Sequence, residues 1–231
     1  MPPSVGQSPV GRWAYERGTL WSIDPAEPSA PKAVKGSPAV LAEATAVRAP
    51  ELSVAMGCSR LHVEERLQRG TRCFTASIDG DIAAYGWVSP GSELIGELER
   101  QIHLGPREAY IWDCLTLPNH RGRGLYTGLL RLMVATLSEE GFGRVWIGAA
   151  LSNRPSIRGF EEAGFRPALG VVYLRVGSWS CLYTHRFRGA PEETAEEARR
   201  VLASPEERRW GPLFVRRMRP SRLESCPDAG A

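Results

Sequence analysis

Residues 117–130 read Leu-Pro-Asn-His-Arg-Gly-Arg-Gly-Leu-Tyr-Thr-Gly-Leu-Leu, an apolar strand that breaks at Pro118 into an Arg/Gly loop and restarts as a helix. These residue types suit a phosphate cradle. Gly122 and Gly124 let consecutive amides turn toward one point, Arg121 and Arg123 add positive charge, and the helix offers its N-terminal amides and dipole to an anion. The helix follows from spacing, because Tyr126, Leu129, Leu130, Met133, Val134 and Leu137 make one apolar stripe. Gly141 and Gly143 stop it before a new apolar run over residues 144–151. A glycine-rich loop alone also serves as a plain tight turn.

A second segment adds to the signal. From Asn153 the chain reads Asn-Arg-Pro-Ser-Ile-Arg-Gly-Phe-Glu-Glu-Ala-Gly-Phe, in which Pro155 suits a first helical turn, Ile157 and Phe160 share a face, and Gly164 ends the helix. The two segments together resemble the GNAT superfamily of acyl-CoA N-acyltransferases. Arg121 to Tyr126 approximates the family's Arg-Gly-x-Gly-x-Gly/Ala loop. Asn153, Ser156, Phe160 and Gly164-Phe165 occupy its Asn-x-x-Ala/Ser-x-x-x-Tyr-x-x-x-Gly-Phe stretch, and the motifs are the usual distance apart. The resemblance is specific over residues 110–165 and architectural elsewhere.

It implies an α/β GNAT fold, a central mixed twisted sheet of six to seven strands flanked by helices, and transfer of an acetyl or other short acyl group from acyl-CoA to a primary amine without a metal. Arg121, Gly122, Arg123, Gly124, Leu125, Tyr126 and Thr127 would surround the pyrophosphate. Main-chain groups of Leu115, Thr116 and Leu117 would hold the pantetheine arm between two splayed strands, with Asn153, Ser156 and Phe160 along the arm and sulfur. An amide at Thr116 or Leu117 would stabilise the oxyanion. Two departures matter. Tyr126 stands where the family has a third small residue and would put a phenol beside the pyrophosphate. Phe160 replaces the frequent tyrosine that protonates the leaving thiolate. Another donor serves (Tyr126, Tyr173, Cys181 or a water), or the thiolate leaves unassisted, since a thiol of pKa ~8.5 is already a fair leaving group.

An alkyl amine of pKa ~10 is mostly protonated at neutral pH, and supplying the free base costs about 4 kcal/mol. Asp113, the one carboxylate in an apolar and aromatic strand just upstream of the loop, is the first candidate base, and Glu108 is the reserve. Asp113 also reads as a hydrogen-bonding anchor between strands.

The elements that position these residues are read as follows. Residues 1–11 form a flexible N-terminus, 13–23 a first strand and 25–37 a linker. A helical region runs from Ser37-Pro38 to Gly70 with a break near Ala49-Pro50. Residues 72–78 and 82–88 make a hairpin through Asp79-Gly80. The connector 89–107 contains an acidic helix over 92–102. The strand 109–117 leads into the loop. The acyltransferase domain spans 12–188, and 189–231 form a helical, Arg-rich extension.

With 231 residues and 42% hydrophobic content the chain can bury one substantial core. Five scattered cysteines without a Cys-x-x-Cys pair argue against a disulfide framework or zinc site, and four dispersed histidines against a metal cluster. No apolar run approaches the ~20 residues of a membrane span and the N-terminus lacks secretory blocks, so a cytoplasmic protein with no membrane partner is expected. A net charge of +3 is too small to require nucleic acid. The Arg-rich run 208–222 reads as a helix packing Trp210, Leu213, Phe214 and Met218 with its arginines solvated, and RNA binding is the alternative. An inactive coenzyme-A-binding module is a second alternative, and the aromatic strands over 171–183 leave a homodimer open.

Overall fold

Residues 13–26, 39–204 and 207–217 are described in the computed structural model. The N-terminal segment 1–11, most of the linker 25–37, Cys226 and the end of the Arg-rich run, with Met218, Arg219 and Arg222, lie outside the described residues.

The chain begins with β1 (Trp13–Ile23) and β2 (Val40–Ala44), then α1 (Ala49–Met56) and α2 (Arg60–Gln68). Pro50 at the first turn starts α1 where a break was expected, and Gly57 closes it at φ 66°. Ser59 caps α2 by accepting from the amide of His62. The expected hairpin is β3 (Arg72–Ile78) and β4 (Asp81–Ser89). Asp79 at φ 54° and Gly80 at φ 95° make the two-residue turn that matches strand twist. Next come β5 (Ser92–Ile95), β6 (Arg100–His103) and β7 (Glu108–Thr116), then α3 (Leu125–Glu139), β8 (Arg144–Ala150) and α4 (Arg154–Ala163). The chain closes with β9 (Arg166–Val176), β10 (Trp179–Arg186), α5 (Glu192–Leu202), β11 (Arg208–Trp210) and β12 (Leu213–Arg217).

Among the described residues, ten strands form one sheet in the order β11-β12-β10-β9-β1-β8-β7-β4-β3-β2, and β5 pairs with β6 separately. This exceeds the six to seven expected. β2 adds to the free edge of β3, and β11 and β12 extend the far end. β7 and β8 are parallel and every other pair is antiparallel. The N-terminal strand β1 sits between β8 and β9, pairing with both.

Three expectations are corrected. Residues 92–102 are two short strands about a single helical turn at Gly96–Leu98, because Leu98 and Ile102 must face the core beside α5. Residues 208–217 are a hairpin, because Gly211 at φ 57° followed by Pro212 breaks any helix and turns the chain back. Residues 40–44 pair with β3 instead of opening the helical region.

α3 and α4 cover one face of the sheet, where Phe160, Leu129 and Met133 meet Ile111, Ile147 and Trp21. The other face carries α1 and α2 over Cys73, Tyr85 and Trp87, and α5 with the β5–β6 ribbon over Tyr173, Leu182 and Phe214.

Candidate active site

β7 and β8 pair for four residues, Glu108 to Ile111 with Arg144 to Ile147. Beyond that point each runs on alone, β7 held by β4 and β8 held by β1. A gap therefore opens between them toward their C-terminal ends. A bulge marks its mouth. Asp113 and Cys114 are the extra residues opposite Gly86, and Asp113 is pushed to φ 43°. A Cβ on Gly86 would lie 2.6 Å from the Cys114 sulfur and from Met133, so glycine lets these two side chains pack beneath the bulge as they do.

Past the bulge the Leu117 amide donates to the Ala83 carbonyl at 2.9 Å. Ala84 and Thr116 are therefore a non-hydrogen-bonded pair, and both main-chain groups of Thr116 turn away from β4 into the gap. Of the three strand-end residues Leu115, Thr116 and Leu117, Thr116 is the one that presents its amide there. Arg121 leans back on this strand end, its Nε donating to the Thr116 carbonyl at 3.2 Å.

The loop has the features of an anion site. Gly122 and Gly124 sit at φ 76° and 75°, and nothing lies within 4 Å of where either Cβ would be. Gly124 is the N-cap of α3, with no capping side chain and no acid in the first turn. The first amides of a fifteen-residue helix are thus left for a ligand. Thr116 Oγ1 and His120 Nδ1, on either side of Pro118, are buried without a partner among the described residues. Uncapped amides, open space over the glycines and two orphaned polar atoms fit a phosphorylated ligand reaching from the loop into the gap.

Other expected site residues have roles within the protein. Leu125 is core, and the Thr127 hydroxyl donates to Glu162 at 3.0 Å, tying α3 to α4. Asn153 Oδ1 caps α4 by accepting from the Ser156 amide at 3.3 Å. Tyr126 turns from the loop toward α4. Its ring lies on Gly159, where a Cβ would come within 2.5 Å, and its centroid is 6.4 Å from that of Phe160. Its hydroxyl shares a hydrogen bond with Ser156, and burial pushes the phenol well above its ordinary range. Phe160 is buried edge-on against Trp21. Of the other hydroxyl and thiol candidates, Tyr173 bonds to Glu99 at 3.2 Å on the α5 face and Cys181 lies on β10.

The two carboxylates separate. Glu108 is at the closed end of the β7–β8 pair, eight residues or roughly 26 Å along the strand from Thr116. It accepts from the Gly105 amide at 2.6 Å and from Arg200 at 2.5 Å. Asp113 is at the mouth, its side chain 34% exposed, and is ion-paired with Arg66, whose side chain is 14% exposed. Arg66 reaches it from α2 over two neighbouring indoles, 5.1 Å from the Trp87 centroid and 4.6 Å from that of Trp112. The sequence reading had no means of finding Arg66, because 47 residues separate it from its partner. A recess of about 350 Å³ lined by His62, Glu65, Arg66, Gln68 and Arg69 adjoins it.

The sequence profile of the Acetyltransferase (GNAT) family matches residues 46–165, just over half of the chain, including α1, α2, the bulged strand, the loop and α4. The chain belongs to the GNAT acetyltransferase family. No curated protein matches this GNAT chain. Among solved structures it is similar to an acetyltransferase of the GNAT family from Colwellia psychrerythraea, with TM-score 0.50 and 12% identity over 71% of this chain and 57% of that one. It is also similar to a Drosophila protein, with TM-score 0.51 and 12% identity over 72% and 52%. At such identity the likeness is one of fold, and this GNAT chain spans a little over half the length of each. Among the described residues no helix is long and apolar enough to cross a membrane, and no three His, Cys, Asp or Glu side chains gather as a metal site.

Proposed function

We propose that the chain transfers an acetyl or other short acyl group from acyl-CoA to a primary amine, and that it does so without a metal. The carrying observation is the parting of β7 from β8 directly above a glycine loop at an uncapped helix N-terminus. Bound there, acyl-CoA supplies an activated thioester carbonyl. The amides of residues 122–126, with Arg121 and Arg123, hold its phosphates. The Thr116 amide is aimed to stabilise negative charge on the carbonyl oxygen.

The amine enters from the α1–α2 side, along the recess bordered by Arg66. Asp113, oriented by Arg66, takes its proton directly or through one water. Tyr126, held beside Phe160 with its hydroxyl bonded to Ser156 and its phenol kept protonated by burial, is the donor that stands in for the missing tyrosine. Acceptors of several kinds fit this chemistry, so the amine class is left to experiment.

Calorimetric titration with acetyl-CoA, coenzyme A and a longer acyl-CoA tests the reading, with Arg121→Ala/Gly124→Trp as control and a thermal melt to check that the control folds. Micromolar binding lost in the folded control supports it and opens an amine screen by thiol release. Binding without turnover across that screen favours a coenzyme-A-binding module, the reading Phe160 raises. No binding of any thioester sinks both.

A further inference from the structure

We propose that the uncovered face of the C-terminal half of the sheet binds single-stranded nucleic acid. The helices α3 and α4 cover this side of the sheet only over its middle. Where β1, β9, β10, β12 and β11 continue, no described element packs on it. Cross-strand register sets the rows. Arg17, Val172, Tyr183, Leu213 and Trp210 form one, Tyr15, Leu174, Cys181, Val215 and Arg208 the next, and Val176, Trp179 and Arg217 a third. Trp179, Tyr183 and Trp210 are 54%, 46% and 59% exposed. Along β10 the rings of Tyr183, His185 and Phe187 follow one another in near-parallel planes with centroids 6.2 and 5.8 Å apart. Gly170 leaves the space the His185 ring occupies, since a Cβ there would lie 2.2 Å from it.

The charges on this face have one sign. Arg17, Arg208 and Arg217 are exposed, none is ion-paired among the described residues, and no Asp or Glu occupies a position in these rows. On the opposite face the neighbouring Arg209 is bonded to Glu196 at 3.0 Å and Arg216 to Ser180 and the Glu99 carbonyl. The hairpin thus sorts its arginines, pairing one set within the protein and presenting the other among aromatic rings. Each row holds one guanidinium and at least one aromatic ring, the two groups that the phosphates and bases of a single strand require.

Other occupants fit less well. A second copy apposed on this face would enclose guanidiniums from both sides with no carboxylate to meet them. An acyl layer would have to bury charges that lie among the rings instead of at a rim. A duplex hides its base faces.

The test uses the whole chain and fluorescence anisotropy with short labelled oligouridine, the matching oligothymidine and a duplex of equal length, each without acetyl-CoA and with it at saturation so that the loop is filled. Single strands bind and the duplex binds more weakly. The two single-stranded arms tell RNA from DNA. Trp179→Ala and Trp210→Ala each weaken binding roughly tenfold with an unchanged salt slope. Arg208→Ala/Arg217→Ala lowers the slope of log affinity against log salt by about 1.4. All four positions are exposed, and unchanged melting temperatures confirm that the variants fold. The proposal is overturned by absence of binding at low salt, by competition from acetyl-CoA, by equal affinity for duplex, or by insensitivity to both tryptophans. A dimer that Trp179→Ala dissociates, or anionic vesicles bound where oligonucleotides are not, would overturn it as well.

Discussion

Asp113 sits in the left-handed region, which asparagine adopts as readily as aspartate. Asp113→Asn therefore removes the charge without disturbing the bulge. If Asp113 accepts the amine proton, kcat/KM falls by about 10²–10⁴, most steeply below neutral pH where the acceptor is more fully protonated, while calorimetry gives an unchanged acetyl-CoA Kd. Unaltered turnover with a lowered melting temperature would make Asp113 only the anchor of Arg66. Tyr126→Phe is the companion experiment. It should lower kcat by about tenfold to a hundredfold with acetyl-CoA affinity intact, a modest loss because a thiol of pKa ~8.5 leaves readily. The raised phenol stays protonated across the assay range, so the variant should not move the alkaline limb of the profile. At this scale the sequence made the loop glycines, the α4 cap and the exceptional Phe160 legible, since each depends on near neighbours. It could not show that Tyr126 would turn onto Gly159, or that Arg66 would span two indoles to reach Asp113, because those contacts exist only once α2 and α4 are docked.

At the scale of elements, the segments that were misread lacked a local signal for what they pack against. Residues 92–103 carry acidic and apolar side chains at spacings that suit a helix. Their actual form is governed by Arg100, which is fully buried and bonded to the Leu202 carbonyl at 2.6 Å and to Glu207, itself 2% exposed. Glu207 also accepts from the Ser204 amide at 3.0 Å. This pair fastens the β5–β6 ribbon to the chain entering the β11–β12 hairpin, across 107 residues of sequence. Arg100→Met should destabilise the fold by about 3–5 kcal/mol, because it leaves the buried Glu207 carboxylate only its longer ion contact to Arg216 at 3.9 Å. Arg100→Met/Glu207→Leu should recover most of that loss, since no buried carboxylate then remains and Arg216 keeps its bonds to Ser180 and the Glu99 carbonyl. Urea denaturation of the three proteins measures both. A double variant as unstable as the single would mean that the pair's worth lies in its hydrogen bonds to Ser204 and Leu202. The hairpin itself had a legible mark in Gly211-Pro212, which the weight of arginines and aromatics obscured.

For the whole molecule, insertion of β1 between β8 and β9 means that the central sheet cannot close until the N-terminal strand meets partners more than a hundred residues away. The interior closed in this way holds thiols and phenols away from water. Burial is the leading cause in each case. It pushes the Cys73 thiol from 9.0 to about 12 and the Tyr173 phenol from 10.0 to about 12, and it raises Cys114, Tyr85, Tyr110 and Tyr126 as well. Folded values above unfolded ones mean that the native state keeps protons the unfolded chain has lost. Stability is therefore complete below the unfolded thiol pKa and declines as pH rises through the window up to the folded values. Thiols act first. Near pH 9.5–10 the buried Cys73 thiol should cost about 1.4 kcal/mol of stability per pH unit, with the part-buried Cys114 adding to the slope before the tyrosines do. Urea midpoints collected from pH 8 upward read this directly. Cys73→Ala should remove about that much of the slope whatever its cavity does to the absolute stability, because only the slope counts protons. A midpoint that stays level through pH 10 would mean that water reaches these thiols and that the two halves of the sheet are less tightly closed over β1 than its pairing requires.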